Sequence, residues 1–343
     1  MTPAIFGLSG PSLTDDERAF FQDCEPAGYI VFGRNCASPK QLRALTDSLR
    51  ELHGRNDLFI CIDQEGGRVA RLRPPEWRGF PSGSEFDRLY QIAPASAMQA
   101  AAANAEALGL ELAMAGINVD CHPPLDLRYP SAHDVIGDRA LGADPMQVAA
   151  LGRSILEGLE KAGVAGCIKH MPGHGRSQVD THKELPVVSA SEDELARDIE
   201  PFKTLNDAAI GMTCHLVYTE WDAKNPATQS PTVIHKIIRE RVGFDGLLLT
   251  DDIDMEALSG SIPERSEKAI EAGCDLVLNC WAKMDDMIGI VSRLPSMSDE
   301  TARRLGKAVE DTASAPLDRE GKERIAELVA RRDSYFEAAG TAL

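Results

Sequence analysis

Basic residues are scarce in this chain relative to acidic ones, with 36 Lys and Arg against 54 Asp and Glu, a formal net charge of −18 and a pI near 4.9. Nucleic acids and anionic membranes are bound by clustered cations that displace counterions, so this balance argues against either as a partner. An anionic ligand would have to be met by a local basic pocket. The chain has 8 cysteines but no CxxC pair. Cys61, Cys167, Cys214 and Cys280 sit inside apolar runs, where free cysteine packs as a small hydrophobe, so the set reads as reduced core residues. No apolar run is long enough to span a bilayer, and the opening MTPAIFGLSG lacks the basic and apolar regions of a secretory signal. The expected location is the cytoplasm. Linkers, repeats and low-complexity segments are also missing, as are the phosphate-binding patterns GxxxxGK[ST] and GxGxxG.

What is present is a regular alternation. With 343 residues and 43% hydrophobic content, the chain can bury a large core as one barrel or as two ordinary domains. Short apolar runs recur: AIFGL, GYIVF, LFICID, GINVD, VAGCIKH, IGMTCHLVY, GLLLTDD and CDLVLNC. The stretches between them carry helix signals. LTDDERAFFQDC opens with Thr14 and has Glu17 three residues later, and SEDELARDIEPFKTL repeats this with Ser191 and Glu194. Strands alternating with helices build a parallel sheet, and eight of them favour a closed (β/α)8 barrel over an open doubly wound sheet. The expectation is an α/β fold, a single barrel domain over 1–343 with closing helices from about 298 to 343. Polar residues gather at the C-terminal ends of the apolar runs: Asp63, Asp120, Lys169 with His170, His215, Asp251 and Asn279. That end is where barrel enzymes keep their sites.

The densest chemistry lies in KHMPGHGRSQVDTH, from Lys169 to His182, where Pro172, Gly173 and Gly175 rule out a helix. It reads as an active-site loop. Asp251 follows the apolar run GLLLT and is a candidate nucleophile at a strand end, although a helix-capping role is equally open from position alone. His182, with an unperturbed pKa of about 6.5, suits a general acid and base at neutral pH. Asp180, two residues earlier, would share its side in an extended segment and could orient the imidazole. By itself a DxH pair is more often incidental than catalytic. A metal site would draw on His170 and His174, but Met-Pro-Gly between them breaks the helix that would bring both rings to one face, and no HxH pair marks the first strand. Lys169 and His170 read better as hydroxyl-binding donors. DQEGGRVARLR, from Asp63 to Arg73, offers an acceptor at Asp63 and donors including Arg71, and IGDRAL presents Arg139.

Taken together, GYIVFGRNCASPKQL, IDQEGGRVARLR, VIGDRALG, KHMPGHGRSQVDTHKELP and LLLTDDIDM resemble, in order and approximate spacing, glycoside hydrolase family 3. The resemblance spans most of the chain and is closest to the bacterial cytoplasmic β-N-acetylglucosaminidases of peptidoglycan recycling. It implies a (β/α)8 barrel, Asp251 as nucleophile, and His182 with its partner Asp180 as acid/base on a loop. It also implies Asp63, Arg71, Arg139, Lys169 and His170 as ligands of a terminal N-acetylglucosamine. No metal or cofactor is implied. The expected substrate is a small-molecule saccharide or muropeptide, met by a monomer with no nucleic-acid or membrane partner. Three departures stand out: Met171 where phenylalanine is usual, Thr181 for serine, and Asp254 where serine is common. A family-3 β-glucosidase, a phosphorolytic relative and a non-catalytic sugar sensor are the competing readings. The DTH pair favours the N-acetylglucosaminidase branch.

Overall fold

A computed structural model describes residues 1–130, 134–178, 185–312 and 318–343. Eight parallel strands close a barrel: β1 Thr2–Gly7, β2 Pro26–Val31, β3 Phe59–Ile62, β4 Val119–Asp120, β5 Ala165–Met171, β7 Ile210–Thr213, β9 Leu247–Asp252 and β10 Leu276–Asn279, in the order β1-β10-β9-β7-β5-β4-β3-β2. All eight apolar runs named from the sequence supply these strands. A separate two-stranded ladder, β6 Val187–Val188 and β8 Val217–Tyr218, lies outside the barrel.

The strands form because each is a run of β-branched and apolar residues whose two faces both find apolar cover, as expected when helices wrap a parallel sheet. Alternate residues divide between two cores. Ile30, Cys61, Cys167, Leu247, Leu249, Leu276 and Leu278 pack together inside the barrel, while Val31, Ile60, Ile168, Leu248 and Val277 pack outward against the helical ring. Leu305, Ala308 and Val309, on the helix Asp299–Val309, join the inner cluster. The sequence-read capping boxes are formed. The Glu17 N–H donates to Thr14 Oγ1 at 3.1 Å and the Thr14 N–H to Glu17 Oε2 at 2.9 Å, with the same exchange between Ser191 and Glu194. Each such cap stabilises its helix by about 1 kcal/mol. All eight cysteines are free thiols, seven of them buried. Among the described residues, no helix is long and apolar enough to cross a membrane.

The period of two also aims the site. Residues two beyond an inward-facing strand residue project into the barrel mouth: Phe32 after Ile30, Asp63 after Cys61, Lys169 after Cys167, Asp251 after Leu249, and Cys280 after Leu278. All five line one cavity of about 430 Å³.

Candidate active site

The segment after β3 is built as a tight return. Gln64 holds it closed, its Oε1 accepting from the Arg71 and Leu72 N–H groups at 2.7 and 3.0 Å and its Nε2 donating to Leu72 O at 3.0 Å. Gly66 and Gly67 sit at φ 96° and 55°. A Cβ on Gly66 would lie 2.2 Å from Pro81 O, so the turn needs glycine for both conformation and space. The return brings Arg71 Nη2 to 3.1 Å from Asp63 Oδ2.

Lys169 crosses the mouth from β5 to meet this loop. Its Nζ lies 3.0 Å from Asp63 Oδ1 and 2.7 Å from Glu65 Oε1, with the side chain only 2% exposed. Glu65 also takes a bidentate grip from Arg139, at 2.8 Å from Nε and 2.7 Å from Nη2. Burial alone would raise the Asp63 and Glu65 carboxyls. Lys169 with Arg71 holds Asp63 below its ordinary range, and Arg139 with Lys169 holds Glu65 well below. Burial would lower Lys169 and Arg139, but Glu65 together with Asp63 overcomes it and raises both. Asp63 and Glu65 therefore stay ionised beside Lys169, Arg71 and Arg139 on one side of the cavity.

His170 stands between that wall and the nucleophile candidate. Asp126, fully buried, accepts from His170 Nδ1 at 2.7 Å and from the His174 N–H at 2.6 Å. That fixes the imidazole plane and leaves His170 Nε2 beside Arg139 Nη2 at 3.4 Å. Burial brings the His174 imidazole down to about 4, so it is neutral at neutral pH. The two rings are 5.7 Å apart and edge-on. No group of three or more His, Cys, Asp or Glu suited to a metal ion occurs among the described residues.

Asp251 closes the opposite side. Its Oδ1 accepts from the Asp252 N–H at 2.8 Å, which leaves Oδ2 for a ligand. Burial would raise this carboxyl, but His170, His215 and the Asp252 N–H keep it below its ordinary range and therefore ionised.

Of the residues picked from sequence, Asp63, Arg71, Arg139, Lys169, His170 and Asp251 all line the cavity. Asp180 and His182 lie outside the described residues. Asp120, His215 and Asn279 end their strands as expected but do not line the cavity; Asp120 Oδ1 instead accepts the Gln64 N–H at 3.0 Å and anchors the loop after β3. Sequence reasoning missed Glu65, Asp126 and Phe32, and weighed His174 only as a metal ligand. Glu65 had one signal, an acid directly between Gln64 and two glycines. Asp126 had another, an acid flanked by Leu125 and Leu127. Phe32 carries the guanidinium groups of both Arg34 and Arg71, each 5.0 Å from its ring centroid.

Residues 7–311 match the glycosyl hydrolase family 3 N-terminal domain. The chain belongs to glycosyl hydrolase family 3. It groups there with the β-hexosaminidases. A Bordetella avium protein named beta-hexosaminidase is 36% identical over 308 residues, 88% of this chain and 87% of that protein. A Thiobacillus denitrificans protein of the same name is 38% identical over 283 residues, 81% and 78% of the two chains. In three dimensions the chain is similar to NagZ from Neisseria gonorrhoeae, solved in complex with N-trifluoroacetyl-D-glucosamine, with a TM-score of 0.86, 30% identity, and 96% and 98% of the two chains covered. The family-3 barrel expected from the motifs is therefore the barrel found.

Proposed function

We propose that this protein is a retaining exo-β-N-acetylglucosaminidase. It removes terminal N-acetylglucosamine from peptidoglycan fragments, in which the sugar is joined to 1,6-anhydro-N-acetylmuramic acid with or without a peptide. The observation that carries this reading is Asp251: an ionised carboxylate at a strand end, one oxygen fixed by a backbone N–H, facing a cavity whose far wall is a fixed array of hydroxyl-binding charges.

In the first step Asp251 Oδ2 attacks C1 of the sugar while His182, oriented by Asp180, protonates the departing glycosidic oxygen. The C1–O bond to the aglycone breaks as the bond to Asp251 forms. In the second step His182 removes a proton from water, whose oxygen attacks C1 and releases Asp251. Two inversions retain the configuration. Because the acid/base is a histidine, the usual rule relating carboxylate separation to stereochemistry does not apply. Asp63, Arg71, Arg139, Lys169 and His170 bind the hydroxyls of the terminal sugar. They orient C1 toward Asp251 and supply binding energy at a distance from the reacting bond. The protein works as a cytoplasmic monomer, and its charge of −18 gives no long-range attraction to an anionic muropeptide. Recognition of the substrate is therefore local.

The test is release of aryl alcohol from an aryl N-acetyl-β-glucosaminide beside the matching β-glucoside, with proton NMR of the first-formed sugar. Turnover of the acetamido sugar alone, giving the β-anomer first, supports the reading. An inverted product would end the mechanism, and turnover of the glucoside alone would move the chain to the β-glucosidase branch. Saccharide binding without turnover would make it a sensor.

A further inference from the structure

The turn that carries Asp251 holds a second pair of carboxyl groups. β9 ends on Asp252, and the chain doubles back so that the Met255 N–H donates to Asp252 O at 3.2 Å. Asp254 Oδ2 then accepts from three donors at the end of β10: Asn279 Nδ2 at 2.8 Å, the Cys280 N–H at 3.1 Å and the Trp281 N–H at 3.4 Å. Asp252 Oδ1 accepts from the Asp254 N–H at 3.1 Å and from the same Cys280 N–H at 3.3 Å. Two carboxyl groups thus converge on one backbone N–H.

Two ionised carboxylates this close repel strongly. A second difficulty sits beside the first: Asp254 Oδ1 is buried, and no donor reaches it among the described residues. Buried acceptors in folded proteins are nearly always satisfied. A single proton on Asp252 answers both, removing one charge and supplying an O–H donor to the neighbouring Asp254 carboxyl. Burial and the neighbouring Asp254 push the Asp252 carboxyl well above its ordinary range, the direction this requires.

We propose that Asp252 and Asp254 act as one carboxyl pair sharing a single proton, which clamps the turn after β9 to the end of β10 and so positions Asp251. The proposal rests on Asp251 being the nucleophile. The coupling is short. The Asp252 N–H is the group that fixes Asp251 Oδ1, and Asp252 O accepts from His215 Nε2 at 2.9 Å. Arg265 Nη1 donates to Ile253 O and Met255 O at 3.2 and 3.1 Å, bracing the turn from the helix Ile262–Ala272. Across the pair, Arg34 Nη2 donates to Cys280 O at 2.5 Å. The titratable and charged groups facing the pair are therefore Asp251 on β9, Cys280 after β10, Arg34 after β2, His215 after β7 and Arg265. When rising pH removes the shared proton, two negative charges compete for one N–H beside a third at Asp251. The turn loosens and activity falls.

The test uses an activated aryl N-acetylglucosaminide, whose leaving group needs little protonation, so that the ionisation of His182 does not shape kcat/KM. Asp254→Ser cannot reach the three donors of β10, and kcat is expected to fall about tenfold with little change in KM, as for a small misplacement of a reacting group. Asp254→Asn keeps an acceptor for those donors and offers N–H to Asp252. It should recover most of that kcat and lose the alkaline decline in kcat/KM expected of the parent, because no shared proton remains to be lost. Parental kcat in Asp254→Ser, or the parent's alkaline decline persisting in Asp254→Asn, overturns the proposal. If Asp254→Ser is shown by its melting curve to be misfolded, the Asp254→Asn profile decides alone. Full activity in Asp251→Asn would defeat the nucleophile assignment and the clamp together. An inactive Asp251→Asn beside Asp254 variants that behave as the parent would defeat the clamp alone.

Discussion

Replacing Glu65 by alanine removes a buried carboxylate that serves two cations. Its side chain is 3% exposed, Lys169 is 2% exposed and Arg139 12%, and both rest on it at 2.7 Å. Without it, Lys169 keeps Asp63 at 3.0 Å, while among the described residues Arg139 keeps Val135 O at 3.2 Å and His170 Nε2 at 3.4 Å. Breaking a buried pair from one side costs about 3–5 kcal/mol, because the partner charge stays buried without its counterion. An unfolding entropy of about 2.1 cal/mol/K per residue converts this to a fall in Tm of roughly 4–7 °C for a chain of 343 residues. Glu65→Gln, which keeps one acceptor oxygen, should lose less. The pH dependence has a definite sign. The folded Glu65 carboxyl lies well below its ordinary 4.5, since Arg139 and Lys169 overcome the effect of burial. Its stabilisation is thus fully present above about pH 4.5 and is lost as pH falls through the lower folded value. The variants should show a shallower loss of Tm on acidification than the parent. Activity should suffer with stability, kcat/KM falling about 10- to 100-fold as Lys169 and Arg139 lose their fixed positions in the proposed sugar site. Differential scanning calorimetry and aryl-glycoside kinetics read both effects. An unchanged Tm and kcat/KM in Glu65→Ala would refute the idea that this ion cluster organises the sugar-binding wall.

Three other outcomes follow from the same geometry. Asp126→Ala leaves His170 Nδ1 and the His174 N–H without their acceptor, so it should destabilise by about 1–3 kcal/mol and raise KM more than it lowers kcat, checked by denaturant titration and steady-state kinetics. Tyr218→Phe removes a buried hydroxyl that donates to Gly173 O at 2.8 Å, and should cost about 1 kcal/mol in the same titration. His182→Ala should slow cleavage of a natural disaccharide far more than first-step cleavage of an activated aryl glycoside; equal losses would remove its role as acid.

Much of the barrel was legible because the strands are marked by composition, each an apolar run ending in a polar residue, and because the caps at Thr14 and Ser191 are local chemistry. The cavity residues Asp63, Lys169 and Asp251 were legible for the same reason: their side chains follow inward-facing strand residues at a spacing of two. Glu65 and Asp126 were not, since their importance lies in partners 74 and 44 residues away, Arg139 and His170, which no local pattern encodes. Asp120 and Asn279 show the converse. They occupy strand ends like Asp63, yet both are fully buried, and their polar groups serve backbone and loop contacts. Asp254 was visible only as a departure from the family pattern. Its three donors from the end of β10 come from the closure of the barrel, which sequence spacing does not reveal.

The central claim is that Asp251 forms a covalent bond to the sugar, and trapping that bond tests it most directly. The protein would be incubated with a 5-fluoro N-acetylglucosaminyl fluoride, a reagent that forms the glycosyl-enzyme faster than it is hydrolysed, then digested and examined by tandem mass spectrometry. The account predicts one added sugar on the peptide containing Asp251, and none in Asp251→Asn. An adduct on another residue, or full turnover by Asp251→Asn without any adduct, would contradict it.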